Sequence, residues 1–166
     1  MYLAFAAAKL PLDTFKTFEE LVNDNGFRSE NYNVTTTDGY ILSLYRIPGR
    51  IEQQDDTPRP AVLMVHGQEC DMMEWLWNTE DKSNAMMLAR AGYDVWLGNN
   101  RGNQYSQNHV SLTTADNAFW DFYQQEMGEK DLPAFIDFII DTTGFKQISY
   151  VGHSEGTTQM FLGASL

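Results

Sequence analysis

Residues 148–162 read Ile148-Ser149-Tyr150-Val151-Gly152-His153-Ser154-Glu155-Gly156-Thr157-Thr158-Gln159-Met160-Phe161-Leu162. The first four residues form a short strand-like run, the last six have a helical look, and five residues must turn the chain between them. Glycine two positions either side of Ser154 removes the side chains that would collide in so sharp a turn. The serine is left in a strained backbone conformation, its hydroxyl exposed at the end of the sheet. It also stands at a helix N-terminus, where free N–H groups and the positive end of the dipole favour developing negative charge. Gly152–Gly156 therefore reads as a nucleophile elbow with Ser154 as the attacking group. An ordinary glycine turn is the alternative, and the strand before and helix after argue against it.

An acyl transfer needs a second backbone donor from the end of an earlier strand. The apolar run Ala61–Val65, followed by His66-Gly67, fits that place. In this reading the N–H of Gln68 and the N–H of Glu155 converge on the oxyanion, and losing either costs on the order of a hundredfold in rate. The remaining chain supplies a matching pattern. Leu12–Asn25 carries Phe15, Phe18, Leu21 and Val22 at helical intervals, and Tyr32–Thr36 with Tyr40–Ile47 reads as a hairpin turning at Asp38-Gly39. Gln53–Pro60 reads as a loop, 83–91 as a helix, 93–97 as a strand, 121–142 as a helix and 148–152 as a strand. Strands alternating with helices predict an α/β fold with a mainly parallel sheet, flanking helices and an N-terminal hairpin.

Further motifs occur in order: Asp38-Gly39-Tyr40-Ile41-Leu42-Ser43-Leu44-Tyr45-Arg46-Ile47-Pro48, His66-Gly67, Ala91-Gly92-Tyr93-Asp94-Val95-Trp96-Leu97-Gly98-Asn99-Asn100-Arg101-Gly102-Asn103, Phe119-Trp120, Glu126-Met127 and Asp131-Leu132-Pro133-Ala134. With Tyr150–Ser154, this series strongly resembles the acid lipase family, the gastric and lysosomal lipases and sterol esterases of the α/β-hydrolase fold. The match runs from about Gly26 to about Phe161. The resemblance implies hydrolysis of triacylglycerols and cholesteryl esters by a Ser-Asp-His triad, without metal or cofactor, in a secreted or lysosomal protein. It casts Ser154 as nucleophile and Gln68 and Glu155 as oxyanion-hole residues. Two departures fall at that hole. The family usually carries two leucines after His-Gly where this chain has Gln68-Glu69, and Gln after the serine where it has Glu155. An ionised Glu155 opposes an oxyanion, whereas a neutral one is tolerated.

In this fold the triad runs Ser, then Asp or Glu, then His, yet beyond the adjoining Glu155 no Asp, Glu or His follows Ser154. All three histidines lie upstream. His153 adjoins the serine, its side chain is expected to point away, and a packing role fits it. His109 reads as a surface residue, and His66 as shaping the loop at the site mouth. Asp94 opens a strand at the wrong end of the sheet for catalysis, and Asp131 reads as a helix cap or first-turn acid. The triad is not completed from these residues. The expected organisation is an N-terminal segment, 1–25, and the front of a hydrolase domain, 26–166, truncated after the elbow without cap domain or later strands. Such a sheet leaves an open strand edge, prone to aggregation and suited to a protein partner.

A net charge of -12 excludes nucleic acid as a partner, which needs clustered Lys and Arg. No run reaches the ~18 apolar residues of a membrane span, so lipid contact is peripheral. The single cysteine, Cys70, permits no internal disulfide. Met1–Ala8 is either a signal-peptide remnant or a free N-terminus, and Asn33-Val34-Thr35 is a glycosylation sequon in an expected strand. Met72 and Trp75 either line an acyl pocket or pack as ordinary core. Arg101 reads as a hub tying loop carbonyls together. Two functions follow: a lipid ester hydrolase whose acid and base lie beyond Leu166, or a catalytically silent chain serving as a structural or binding subunit.

Overall fold

The computed structural model describes residues 15–53, 57–78 and 80–165. Met1–Ala8 and the first residues of the expected helix at Leu12–Asn25 lie outside them. The described part of that helix is α1, Phe18–Asp24. It starts at Thr17, whose hydroxyl accepts from the Glu20 N–H while the Glu20 carboxylate accepts from the Thr17 N–H, a reciprocal cap. Phe15 precedes that cap and is exposed. Phe18, Leu21 and Val22 face inward and share one core with Phe27, Ile47 and Val62, so α1 packs with the body of the fold.

Strands β1 (Glu30–Thr35) and β2 (Tyr40–Ile47) form the expected antiparallel hairpin. Its turn is wider than a two-residue loop, because Thr36 N–H bonds to the Tyr40 carbonyl and Gly39, at φ 97°, closes back on Thr36. Four further strands follow among the described residues: β3 (Ala61–Val65), β4 (Asp94–Gly98), the two-residue β5 (Asn108–His109) and β6 (Ser149–Gly152). The sheet order is β1-β2-β4-β3-β6, with β5 on the start of β2. Pairing is parallel in β4-β3-β6 and antiparallel at β1, β2 and β5. The parallel core is therefore three strands wide.

Period-two alternation divides the core. Val62, Met64, Val95 and Leu97 face α1 and α2 (Asn84–Arg90), whereas Ala61, Leu63, Val65 and Trp96 face a long helix on the other side. That helix runs from α3 (Gln124–Glu126) through a π turn, Met127–Asp131, into α4 (Leu132–Thr143). The π turn has a packing partner. Gly128 in it and Gly163 of α5 (Glu155–Gly163) let the two backbones meet, since a Cβ on Gly163 would lie 2.7 Å from the Gly128 carbonyl oxygen. Gln159 Nε2 of α5 donates to the Met127 carbonyl across this contact.

Asp94 and Asp131 hold two ends of this frame together. Arg46 grips Asp94 with Nε and Nη2 at 2.8 and 2.9 Å and reaches Glu30 at 2.8 Å, which fixes Asp94 at the end of the sheet away from the elbow. Asp131 makes no side-chain cap. Its carboxylate instead accepts from the Arg101 backbone N–H and from Arg101 Nε and Nη2, and Arg101 also donates to Asp38. Arg101 is thus a hub for carboxylates rather than for loop carbonyls, since a buried cation needs counter-charge more than dipoles. Its guanidinium lies 4.0 Å from the Tyr40 ring centroid.

Phe135 is fully buried and rests against Gly98, so Phe135→Ala is expected to destabilise the fold by about 3–5 kcal/mol in urea unfolding. Burial pushes the Asp131 carboxyl up to about 6 against the lowering pull of Arg101. A carboxyl raised on folding stabilises the fold below its unfolded pKa, and that contribution is lost as pH rises through the folded value. Wild type is therefore expected to lose stability relative to Asp131→Asn between pH about 4 and about 6, read from urea midpoints of both proteins.

Candidate active site

The elbow forms where β6 ends against β3. His153 N–H donates to the Val65 carbonyl at 3.1 Å, extending the parallel pairing one residue beyond β6. The chain then reverses through Ser154 at φ 48°, ψ -107°, a region costly for any non-glycine residue, on the order of 1–3 kcal/mol. Both glycines are sterically required. A Cβ on Gly156 would lie 2.4 Å from the Val65 carbonyl oxygen, and one on Gly152 would lie 2.7 Å from the Gly156 backbone. Tyr150 Oη donates to the Gly156 carbonyl and Thr157 Oγ1 to the Gly152 carbonyl, tying strand and helix across the turn.

Ser154 is exposed, and its hydroxyl receives no hydrogen bond from the described residues. Facing it is Gly67: a Cβ there would come within 3.4 Å of Ser154 Cβ and 2.8 Å of His153 Nδ1. Gly67 is thus fixed by close approach. Its carbonyl accepts from His66 Nδ1–H at 2.8 Å and from Cys70 N–H at 3.2 Å. A carbonyl only accepts, so His66 carries its hydrogen on Nδ1 and uses Nε2 as acceptor for the Asn100 N–H and the Asn103 amide. Because a trans peptide is planar, pinning the Gly67 carbonyl aims the Gln68 N–H the opposite way. Among the described residues, neither the Gln68 N–H nor the Glu155 N–H has an acceptor.

A cleft of about 350 Å³ opens beside this pair, and Gln68 and Glu155 both line it. His66, Asn100 and Arg101 contribute polar surface, and Trp120, Phe122 and Met127 an apolar wall. The Asn100 carboxamide is buried with no hydrogen-bond partner on either atom. The Glu155 carboxylate accepts from Gln124 Nε2 at 3.3 Å, and the Gln68 side chain is exposed. Among the described residues no group of three His, Cys, Asp or Glu side chains is placed to hold a metal.

Other expectations resolve differently. Met72 is fully buried and Trp75 nearly so, both in the core with Met64 and Leu97 and neither along the cleft. The 3-10 turn Met72–Leu76 directs these side chains at the sheet, and Trp75 also lines a separate hollow with Glu74, Gly152 and His153. His153 does not pack inside. Its side chain is 63% exposed and pairs with Glu74. His109 is half-buried, stacked edge-on against Tyr40 and bonded to the Asp38 carbonyl, which makes it part of the hairpin turn rather than a bare surface residue. No local sequence pattern marks Glu74, Asn100, Phe122 or the wall residue Trp120 as part of the site. The signal that marks them is spatial, since they come from three separate stretches of the chain.

Comparison with known proteins agrees with this arrangement. Residues 18–79 match the family described as partial alpha/beta-hydrolase lipase region, and residues 60–166 match the alpha/beta hydrolase fold. Human lysosomal acid lipase/cholesteryl ester hydrolase is 46% identical over 92% of this chain and 39% of its own length. Human lipase member K is 46% identical over 88% of this chain and 37% of its own. The chain therefore spans about two-fifths of the relatives it matches. Among solved structures, an esterase of Pyrococcus furiosus superposes with a TM-score of 0.61 at 21% identity, over 86% of this chain and 46% of that one. A strand-to-helix turn of this geometry, a sheet of this order and matches that together run from Phe18 to Leu166 place the chain in the alpha/beta-hydrolase fold family, with the family's lipase region at residues 18–79.

Proposed function

We propose that this chain carries the nucleophile half of a lipid ester hydrolase. The observation that carries the reading is the juxtaposition at the elbow: a strained, exposed Ser154 opposite Gly67, with two unengaged backbone N–H groups, at Gln68 and Glu155, on the same cleft. Ser154 Oγ attacks the ester carbonyl, and the charge passing to its oxygen is received by those two N–H groups, which need no reorganisation. The positive end of α5 adds to the same field. Trp120, Phe122 and Met127 give the acyl chain an apolar wall, and the buried Asn100 carboxamide offers a polar contact at its floor.

None of the described histidines or carboxylates bonds to Ser154, so the reading places the acid and base of a serine triad in the part of the relatives' length that this chain does not span. Deprotonation of Ser154 and protonation of the leaving alcohol belong to that base. The likeness to a lysosomal acid lipase/cholesteryl ester hydrolase supports a triacylglycerol or steryl ester as substrate and a lysosomal or secreted location. A contact with a lipid surface at the cleft rim fits the exposure of Trp120 and Tyr123. No described helix is long and apolar enough to cross a membrane.

Fluorophosphonate labelling of the chain from acid to neutral pH tests the reading, with Ser154→Ala as control. Slow labelling that disappears in the variant is the expected result, since the two backbone donors act here without the triad's base. A folded protein labelled no faster than Ser154→Ala would count against an oxyanion hole at Gln68 and Glu155 and favour a structural subunit. At neutral pH the Glu155→Gln variant is expected to label about 3- to 10-fold faster, because it removes a negative charge beside the developing oxyanion.

A further inference from the structure

Glu74 touches both halves of the site. It stands on the 3-10 turn Met72–Leu76, which is anchored below by Met72, Trp75 and Leu76 in the core and at its start by Met72 N–H on Asn99 Oδ1 and Met73 N–H on Asp71 Oδ1. The anchoring leaves the Glu74 carboxylate between the Gly67 backbone and the His153 ring. Its side chain is 6% exposed, and both carboxylate oxygens lie 3.3 Å from the Gly67 N–H. The same oxygens approach His153 Nδ1 at 3.2 and 3.3 Å. A carboxylate only accepts, so Nδ1 carries the hydrogen. Cys70 also hydrogen-bonds to it, and burial together with that bond pushes the thiol up, which keeps it protonated as a donor.

We propose that Glu74 is a positioning residue that locks the loop after β3 to the elbow, through the Gly67 N–H on one side and the His153 imidazole on the other. Gly67 is then held at both of its backbone groups: its carbonyl by His66 and its N–H by Glu74. The first bond sets the plane of the peptide that carries the Gln68 N–H, and the second stops the preceding peptide from rotating. His153 adjoins Ser154 in the chain, so the clamp also fixes the distance from the nucleophile to that donor. Glu74 touches no reacting atom. The effect on rate rests on the Ser154 acyl-transfer reading, whereas the clamp itself is a matter of backbone order.

The test combines two readouts on the full chain. Amide hydrogen exchange by NMR follows the Gly67 and Gln68 amides, with Val95 in the core as control, and fluorophosphonate kinetics separates the maximal labelling rate from probe affinity. In Glu74→Ala, Gly67 exchange is expected to rise about 10-fold with Val95 unchanged, and the maximal labelling rate to fall about 10-fold with affinity unaltered. Glu74→Gln keeps an oxygen that accepts from the Gly67 N–H, and its amide donates to His153 Nδ1 once the imidazole moves its hydrogen to Nε2, so it is expected to restore both to within about 3-fold. His153→Ala removes an exposed ring and is expected to change Gly67 exchange in the same direction, without adding to Glu74→Ala in the double variant. Should Glu74→Ala not fold, His153→Ala and Glu74→Gln decide the matter. Unchanged Gly67 exchange in Glu74→Ala or His153→Ala, or additive effects, would overturn the clamp. Absence of labelling in wild type would defeat the acyl-transfer reading and leave the exchange result to judge the clamp alone.

Discussion

Everything at the candidate site depends on how closely the backbone at Gly156 approaches the end of β3. The Val65 carbonyl oxygen occupies the space that any side chain at 156 would need. Because α5 begins there, its axis, the strain at Ser154 and the gap to Gly67 follow from one contact between main chains. Strain of this kind persists only where surroundings over-determine it. Here the surroundings are the β3/β6 pairing, the Tyr150 and Thr157 hydroxyls, and the small-residue meeting of α5 with the π turn.

A second layer of fixation is ionic. Arg101 joins the loop after β4 to the hairpin turn through Asp38 and to the long helix through Asp131. That loop also holds His66 through Asn100 and Asn103. A rigid path of charged and neutral hydrogen bonds thus runs from the helix to the peptide before Gln68. Pairs buried to this degree contribute little net stability when compared with apolar packing, but breaking one partner is costly. Their use here is geometric. They hold a polar loop in one conformation beside a cleft that apolar contacts alone would leave soft.

What the sequence made legible follows from how local each signal is. The elbow was readable because its steric demand falls on residues within two positions of Ser154, and β3 and β4 because continuous apolar runs mark buried parallel strands. The hairpin was placed within two residues, though Glu30 and Asn31 join β1 beyond the predicted start. The role of Asp131 was misplaced. A carboxylate before Leu-Pro satisfies every local rule for a cap, and only the fold brings Arg101 to it from thirty residues away. The same reason hid Glu74, whose partners Gly67 and His153 meet through sheet pairing rather than chain proximity. Met72 and Trp75 lay close to the right loop but on its inner side, a distinction that a 3-10 turn makes and residue type does not.

The four tryptophans differ sharply in environment. Trp96 and Trp75 are sealed in the two cores, Trp77 is exposed, and Trp120 stands half-open on the cleft wall, its ring edge-on to Phe119 and its Nε1 bonded to the Thr114 carbonyl. Indole emission moves to shorter wavelength as water leaves the ring. The protein therefore contains its own optical probe: an apolar molecule entering the cleft dries Trp120 while Trp96 and Trp75 stay as they are, so occupancy is readable as a blue shift without any added dye.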